Sequence, residues 1–101
     1  MQINFIQKHI HLSEEQKNYI QEKLEHLKRF RRVEDESTLI RVDVENFDNK
    51  ASGQDIALTV NMVLPHHTVR AEVEANTVEE AIDLAHDKLK VQLEKYKEMH
   101  S

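Results

Sequence analysis

The sequence contains no cysteine. That excludes disulfides, thiolate metal sites and cysteine nucleophiles. It has one glycine, Gly53, so no glycine-rich loop can cradle a nucleotide phosphate. With one proline, Pro65, and no low-complexity stretch, nothing reads as a linker. The 101 residues are therefore expected to form a single domain spanning 1–101. No apolar run approaches the roughly 20 residues that a membrane span needs. The start, Met1-Gln2-Ile3-Asn4-Phe5-Ile6, lacks the basic and apolar regions of a signal peptide, so a cytoplasmic location is expected. Metal-site patterns such as HExxH are missing too. The histidines occur as His9-Ile10-His11, His66-His67 and the lone His26, His86 and His100, which fit surface and turn positions better than a ligand set. The abundant carboxylates show no isolated apolar setting that would raise a pKa. No catalysis, no metal and no cofactor are expected.

What is present is charge. Fourteen Lys and Arg face nineteen Asp and Glu, a net of -5. Residues 1–32 are locally basic, with Lys8, Lys17, Lys23, Lys28, Arg29, Arg31 and Arg32 against Glu14, Glu15, Glu22 and Glu25. The rest is acidic. Binding to a polyanion depends on the field of one face, so the total does not exclude a nucleic-acid partner. The same mixture also reads simply as a solvated surface.

Two helical and four extended segments follow from periodicity. Residues 2–7 read as a strand with Ile3 and Phe5 on one face. Ser13-Glu14-Glu15-Gln16 has the form of a capping box. Ile20, Leu24, Leu27 and Phe30 then follow at helical spacing, which predicts a first helix from about Ser13 to about Arg31. Lys28, Arg29 and Arg31 would lie in its last turn, where cations complement the helix dipole. Ile40, Val42 and Val44 alternate with charged residues, as do Val69, Ala71, Val73 and Ala75. Ile56, Leu58, Val60, Met62 and Leu64 alternate with smaller and polar residues. Asp48 to Gly53 makes a hairpin loop and Pro65-His66-His67 a tight turn. Thr77 caps a second helix with Val78, Ile82, Ala85, Leu89, Leu93 and Tyr96 as its apolar stripe. One apolar face per strand and one stripe per helix are buried together in an α+β two-layer sandwich. Its order is β-α-β-β-β-α, and both helices lie on one face of a mainly antiparallel four-stranded sheet.

That order, with several stretches inside it, resembles the short ribosome hibernation promoting factors, also called ribosome-associated inhibitors, of the sigma-54 modulation protein-like group. The stretches are Met1-Gln2-Ile3-Asn4, Tyr19 to Leu27, Ala71-Glu72-Val73-Glu74-Ala75, Ala81-Ile82-Asp83, and Asp87 to Lys97. The resemblance covers nearly the whole chain and is weakest from about Val33 to Gly53. It implies a fold related to double-stranded-RNA-binding domains. It also implies a translation inhibitor that occupies the mRNA and tRNA channel of the small ribosomal subunit and catalyses nothing. Length suggests a short form of the family. The implied partners are rRNA and ribosomal proteins, with no membrane and no small-molecule substrate. Three positions depart from the pattern. Glu79 stands where an aromatic is common, Val91 where a basic residue is usual, and His26 where a lysine is common.

The expected rRNA-binding residues are Lys23, Lys28, Arg29, Arg31, Arg32, Lys88, Gln92 and Lys95. Helical spacing puts Lys88, Gln92 and Lys95 on one flank of the second helix. Matching to the family's motif adds Lys23 and supports the other three. The basic cluster ending the first helix supplies the rest. Both helices pack on one side, so these residues could share a surface. Two other readings stay open. One is a non-ribosomal RNA-binding module. The other is a protein-interaction regulator using the opposite sheet face, where Arg41, Asp43, Glu45, Glu72 and Glu74 read as mostly acidic.

Overall fold

The structure is a computed structural model and describes residues 2–29, 38–47, 55–64 and 67–100, with side chains up to Leu27 in the first stretch and up to Lys95 in the last. The elements are β1 (Gln2–Lys8), α1 (Glu14–Glu25), a 3-10 turn (His26–Arg29), β2 (Leu39–Asn46), β3 (Ile56–Leu64), β4 (His67–Ala75) and α2 (Val78–His100). The expected β-α-β-β-β-α order is therefore present.

Helix α1 begins where the capping box is written. The Gln16 backbone N–H donates to Ser13 Oγ at 3.1 Å, and the Ser13 N–H donates to Gln16 Oε1 at 3.0 Å. Two otherwise orphaned N–H groups are satisfied in this way. The α-helical winding ends at Glu25, short of the expected Arg31, and tightens into the 3-10 turn. Residues three apart eclipse one another in 3-10 winding. Leu24 before the change and Leu27 after it are both fully buried. Phe30 and Arg31 lie outside the described residues, as do the Asp48–Gly53 loop, Pro65 and His66. Helix α2 begins at Thr77, whose Oγ1 accepts from the Glu80 N–H at 3.1 Å. Its stripe buries Val78, Ile82, Ala85, Leu89 and Leu93, to which the fold adds Ala81.

The sheet order is β1-β2-β3-β4, and the sheet is mixed. β1 runs parallel to β2, with Ile3 opposite Ile40 and Phe5 opposite Val42. The β2–β3 and β3–β4 pairs are antiparallel. A parallel neighbour needs a crossover, and α1 supplies it. The Phe47 N–H donates to Asp55 O at 2.6 Å, closing the base of the β2–β3 connection. Between β1 and α1, His9 takes a left-handed conformation with φ 57°. The Leu12 N–H is bound by Gln7 Oε1 at 2.6 Å.

Ile40, Val42, Val44, Ile56, Leu58, Val60, Met62, Val69, Ala71 and Val73 point to one side. There they form a single core with Ile20, Leu24 and Leu27 of the first helical segment and with the α2 stripe. Each fully buried Leu, Ile or Val contributes roughly 1.5–3 kcal/mol over its exposed state. The other side of the sheet faces solvent. Its charged residues lie in cross-strand rows, with Lys8 and Glu45 beside Glu74, Asp43 near Glu72, and Arg41 near Arg70.

Candidate nucleic-acid interface

Helix α2 lies between α1 and the edge strand β4, and it presents a different flank to each. Toward α1, Gln16 Nε2 donates to Glu79 Oε1 at 3.3 Å. One turn on, Asp83 Oδ1 accepts from Tyr19 Oη at 2.8 Å and pairs with Lys23 Nζ at 3.1 Å. Further on, His26 and His86 meet edge to face with ring centroids 6.3 Å apart. These partners advance together along both helices, so the helices run in the same direction.

The Asp83 carboxylate is the hub of this seam. Burial acts to raise its pKa, but the hydrogen bonds from Tyr19 and Lys23 outweigh that and hold it below the usual carboxylate range. The hydrogen bond to Asp83 raises the pKa of the Tyr19 hydroxyl, and burial adds to the rise. The hydrogen bond to Asp83 also raises the Lys23 ammonium, against a smaller opposing effect of burial. The Lys23 ammonium lies over the Tyr19 ring, with Nζ 5.8 Å from its centroid.

The other flank of α2 meets main chain. Gln92 Oε1 accepts from the Arg70 N–H at 3.0 Å, and Gln92 Nε2 donates to Arg70 O at 2.6 Å. Lys88 Nζ donates to Glu72 O at 3.1 Å. Lys95 follows on the same flank and is exposed. Between the flanks runs an outward ridge of Glu80, Leu84, Asp87, Val91 and Glu94, all exposed.

The expected site residues therefore fall into three groups. Lys88, Gln92 and Lys95 share one flank, as their spacing predicts. Lys23 stands across α2 from them, engaged with Asp83, with its side chain only 29% exposed. Between Lys23 and the other three runs this ridge of three acids and two apolar residues, because α2 turns opposite flanks to α1 and β4. Lys28 and Arg29 have their backbones in the 3-10 turn, but their side chains lie outside the described residues, as do Arg31 and Arg32. Tyr19, Asp83 and Arg70 were not among the expected residues. Asp83 falls within a stretch that carried the resemblance, but nothing local in the sequence pairs it with residues 60 or more positions away.

The solvent face of the sheet is less acidic than the alternation suggested. Arg70 and Lys8 stand on it with Arg41, opposite Asp43, Glu45, Glu72 and Glu74. Arg41 pairs with Asp43 at 2.9 Å, Lys8 with Glu45 at 3.6 Å, and Arg70 with Glu72. Among the described residues, no three His, Asp or Glu gather as a metal site, and no helix is long and apolar enough to cross a membrane.

The architecture is thus a four-stranded sheet backing two parallel helices, with lysines on one flank of the second. The chain belongs to the sigma 54 modulation protein / S30EA ribosomal protein family, whose model matches residues 3–101. Two solved structures are similar to it. A ribosomal subunit interface protein from Coxiella burnetii is 27% identical with a TM-score of 0.77, over 96% of this chain and 98% of that one. The N-terminal domain of Thermus thermophilus Protein Y shares the fold, with a TM-score of 0.77 at 24% identity, over 95% of this chain and 99% of that one. No curated protein matches the chain at a significant level. Family membership makes it a ribosome-associated protein and not an enzyme.

Proposed function

We propose that this protein binds the small ribosomal subunit in the mRNA and tRNA channel through its helical layer and blocks translation there. Its cellular place would then be the cytoplasm, where ribosomes are. The observation that carries this reading is the β4-side flank of α2. Lys88 and Lys95 lie two turns apart on one side of one helix within a ribosome-associated family. Lysines held at fixed spacing on a helix suit phosphates, which position a protein on RNA without reading its sequence. Lys28, Arg29, Arg31 and Arg32 extend the proposed contact at the end of the first helical segment. Lys23 joins only if the partner draws it from Asp83. The mixed charge of the sheet's solvent face gives no separate support to a regulator acting through an acidic surface.

Sedimentation with purified small subunits, at low and high salt, tests the reading. The parent protein is expected to travel with the subunit at low salt, leave it as salt rises, and inhibit a purified translation system. Reversing Lys88 and Lys95 to Glu is expected to abolish binding, and each lost phosphate contact should lower the salt slope by about one unit. Lys88 also bonds to β4, so Lys95→Glu alone is the cleaner variant, with a loss of one unit. Reversing Lys90 and Lys97 should have a smaller effect. A parent protein that stays in the supernatant at low salt sinks the reading. Equal binding by parent and both double variants moves the contact off this flank.

A further inference from the structure

A sheet has two edges, and each offers a row of unpaired backbone groups to any passing strand. In β4, Val69, Ala71 and Val73 sit opposite β3 residues and point their side chains into the core. The N–H and C=O of Arg70 and the C=O of Glu72 point away from β3, out of the sheet. Those three groups are the ones that α2 side chains occupy, two by Gln92 and one by Lys88. The match is chemical as well as geometric. A primary amide presents one acceptor and one donor side by side, as a neighbouring strand's backbone does when two residues exchange both bonds. Gln92 comes from 22 residues further along the chain, so the contact is tertiary and joins the middle of α2 to the middle of β4.

We propose that Gln92 is a positioning residue: its amide takes the place of a neighbouring strand on Arg70, closing the β4 edge to pairing and fixing the flank of α2 that carries Lys88 and Lys95. The second half of this rests on the ribosome-binding reading, and the first half does not. Gln92 on this account stays on Arg70 when the protein is bound, and its own amide does not reach the RNA. Lys88 keeps one ammonium hydrogen on Glu72 O and has two more donors for a phosphate. Lys95 is one turn beyond the latch, so its direction depends on how firmly Gln92 holds the helix.

Amide hydrogen exchange at Arg70 reads the latch directly, with Ala71 as the internal control because its N–H points to β3. In the free protein, Gln92→Ala is expected to speed exchange at Arg70 roughly fivefold to tenfold, the equivalent of one ordinary hydrogen bond, and to leave Ala71 unchanged. Gln92→Glu keeps the acceptor for the Arg70 N–H and sets a carboxylate against Arg70 O. It should retain part of the protection. Gln92→Ala should also self-associate at concentrations where the parent is monodisperse in light scattering. Unchanged Arg70 exchange in Gln92→Ala overturns the latch. If Gln92→Ala loosens Ala71 as well, Gln92→Glu decides, since partial protection confined to Arg70 supports the latch and its absence overturns it. The same measurement on the ribosome-bound protein decides positioning against contact. Arg70 protection that persists supports positioning. Protection lost on binding shows that Gln92 has left for the RNA and overturns it. A parent protein that fails to bind ribosomes defeats the functional reading and leaves the free-protein result standing.

Discussion

The two flanks of α2 are fastened in different ways. Toward α1 the fastening is made of ionisable side chains: Tyr19, Lys23 and Asp83, with Glu79 and His86 on either side. Toward β4 it is made of one neutral amide and one lysine on backbone carbonyls and an N–H. Both flanks carry a lysine proposed for RNA, but the two cations are not equally available. Lys23 spends its charge inside the molecule, on a carboxylate. Lys88 rests on a backbone carbonyl, and neither it nor Lys95 forms a salt bridge among the described residues. A net-acidic protein can therefore offer a polyanion an attractive surface if its acids neutralise one set of lysines and leave the other alone.

The change that strikes both flanks at once should have the largest effect. Leu89 lies in the buried stripe between them with no exposed surface. Leu89→Ala is expected to cost about 2–5 kcal/mol in denaturant unfolding, the range for a cavity in a packed core. A cost under about 1 kcal/mol would mean that the helix can close over the gap and that its two flanks are not rigidly coupled.

Asp83→Asn separates the flanks by pH. The Asp83 carboxyl is held below 3.8, so its ionised form stabilises the fold above that value and the contribution is lost as pH falls through the lowered pKa. The Lys23 and Tyr19 values are raised above 10.5 and 10.0, so their contributions are full below those values and are lost as pH rises through the raised ones. Thermal melts of the parent should show this seam's contribution as a plateau between about pH 4 and pH 10, falling at both ends. Asp83→Asn keeps an acceptor for Tyr19 but removes the charge, and its melting temperature should vary less at both ends. Equal pH dependence in the two proteins would locate the titration elsewhere. Smallest of all should be the effect of Lys95→Glu on stability, within about 0.5 kcal/mol by the same melts, as expected for an exposed surface position. Weakened ribosome binding with unchanged melting is the sharpest form of the contrast.

The helix start at Ser13, the strand alternations and the α2 stripe were legible because each is a short-range signal. A capping box spans four residues, and a buried face repeats every two or every three to four. The parallel pairing of β1 with β2 was not legible, since alternation reports which side a residue faces and not which way its neighbour runs. Spacing put Lys88, Gln92 and Lys95 on one flank, whereas the contacts of Lys88 and Gln92 with β4 were hidden. Gln92 was expected among the rRNA-binding residues, yet in the free protein its amide is committed to main chain. Lys23 was expected as an rRNA contact by its match to the family's motif, and only the packing of α1 on α2 brings Asp83 to it.

The parallel β1–β2 ladder also orders the assembly of the chain. β3 and β4 are joined by a two-residue connection and α2 follows at once, so that half is rich in contacts between residues close in sequence. Gln2 instead pairs with Leu39, and no part of that ladder can form until α1 has been traversed. Closing the longer loop carries the larger entropic cost, and non-local strand pairing is slow. The hairpin and α2 are thus expected to form first and β1 to dock last, an order that φ-values for Leu58 and Phe5 would check. On a translating ribosome the order of appearance is the reverse, because β1 emerges first. Its seven residues wait, apolar on one side and unpaired on both edges, until the strand they need has been made.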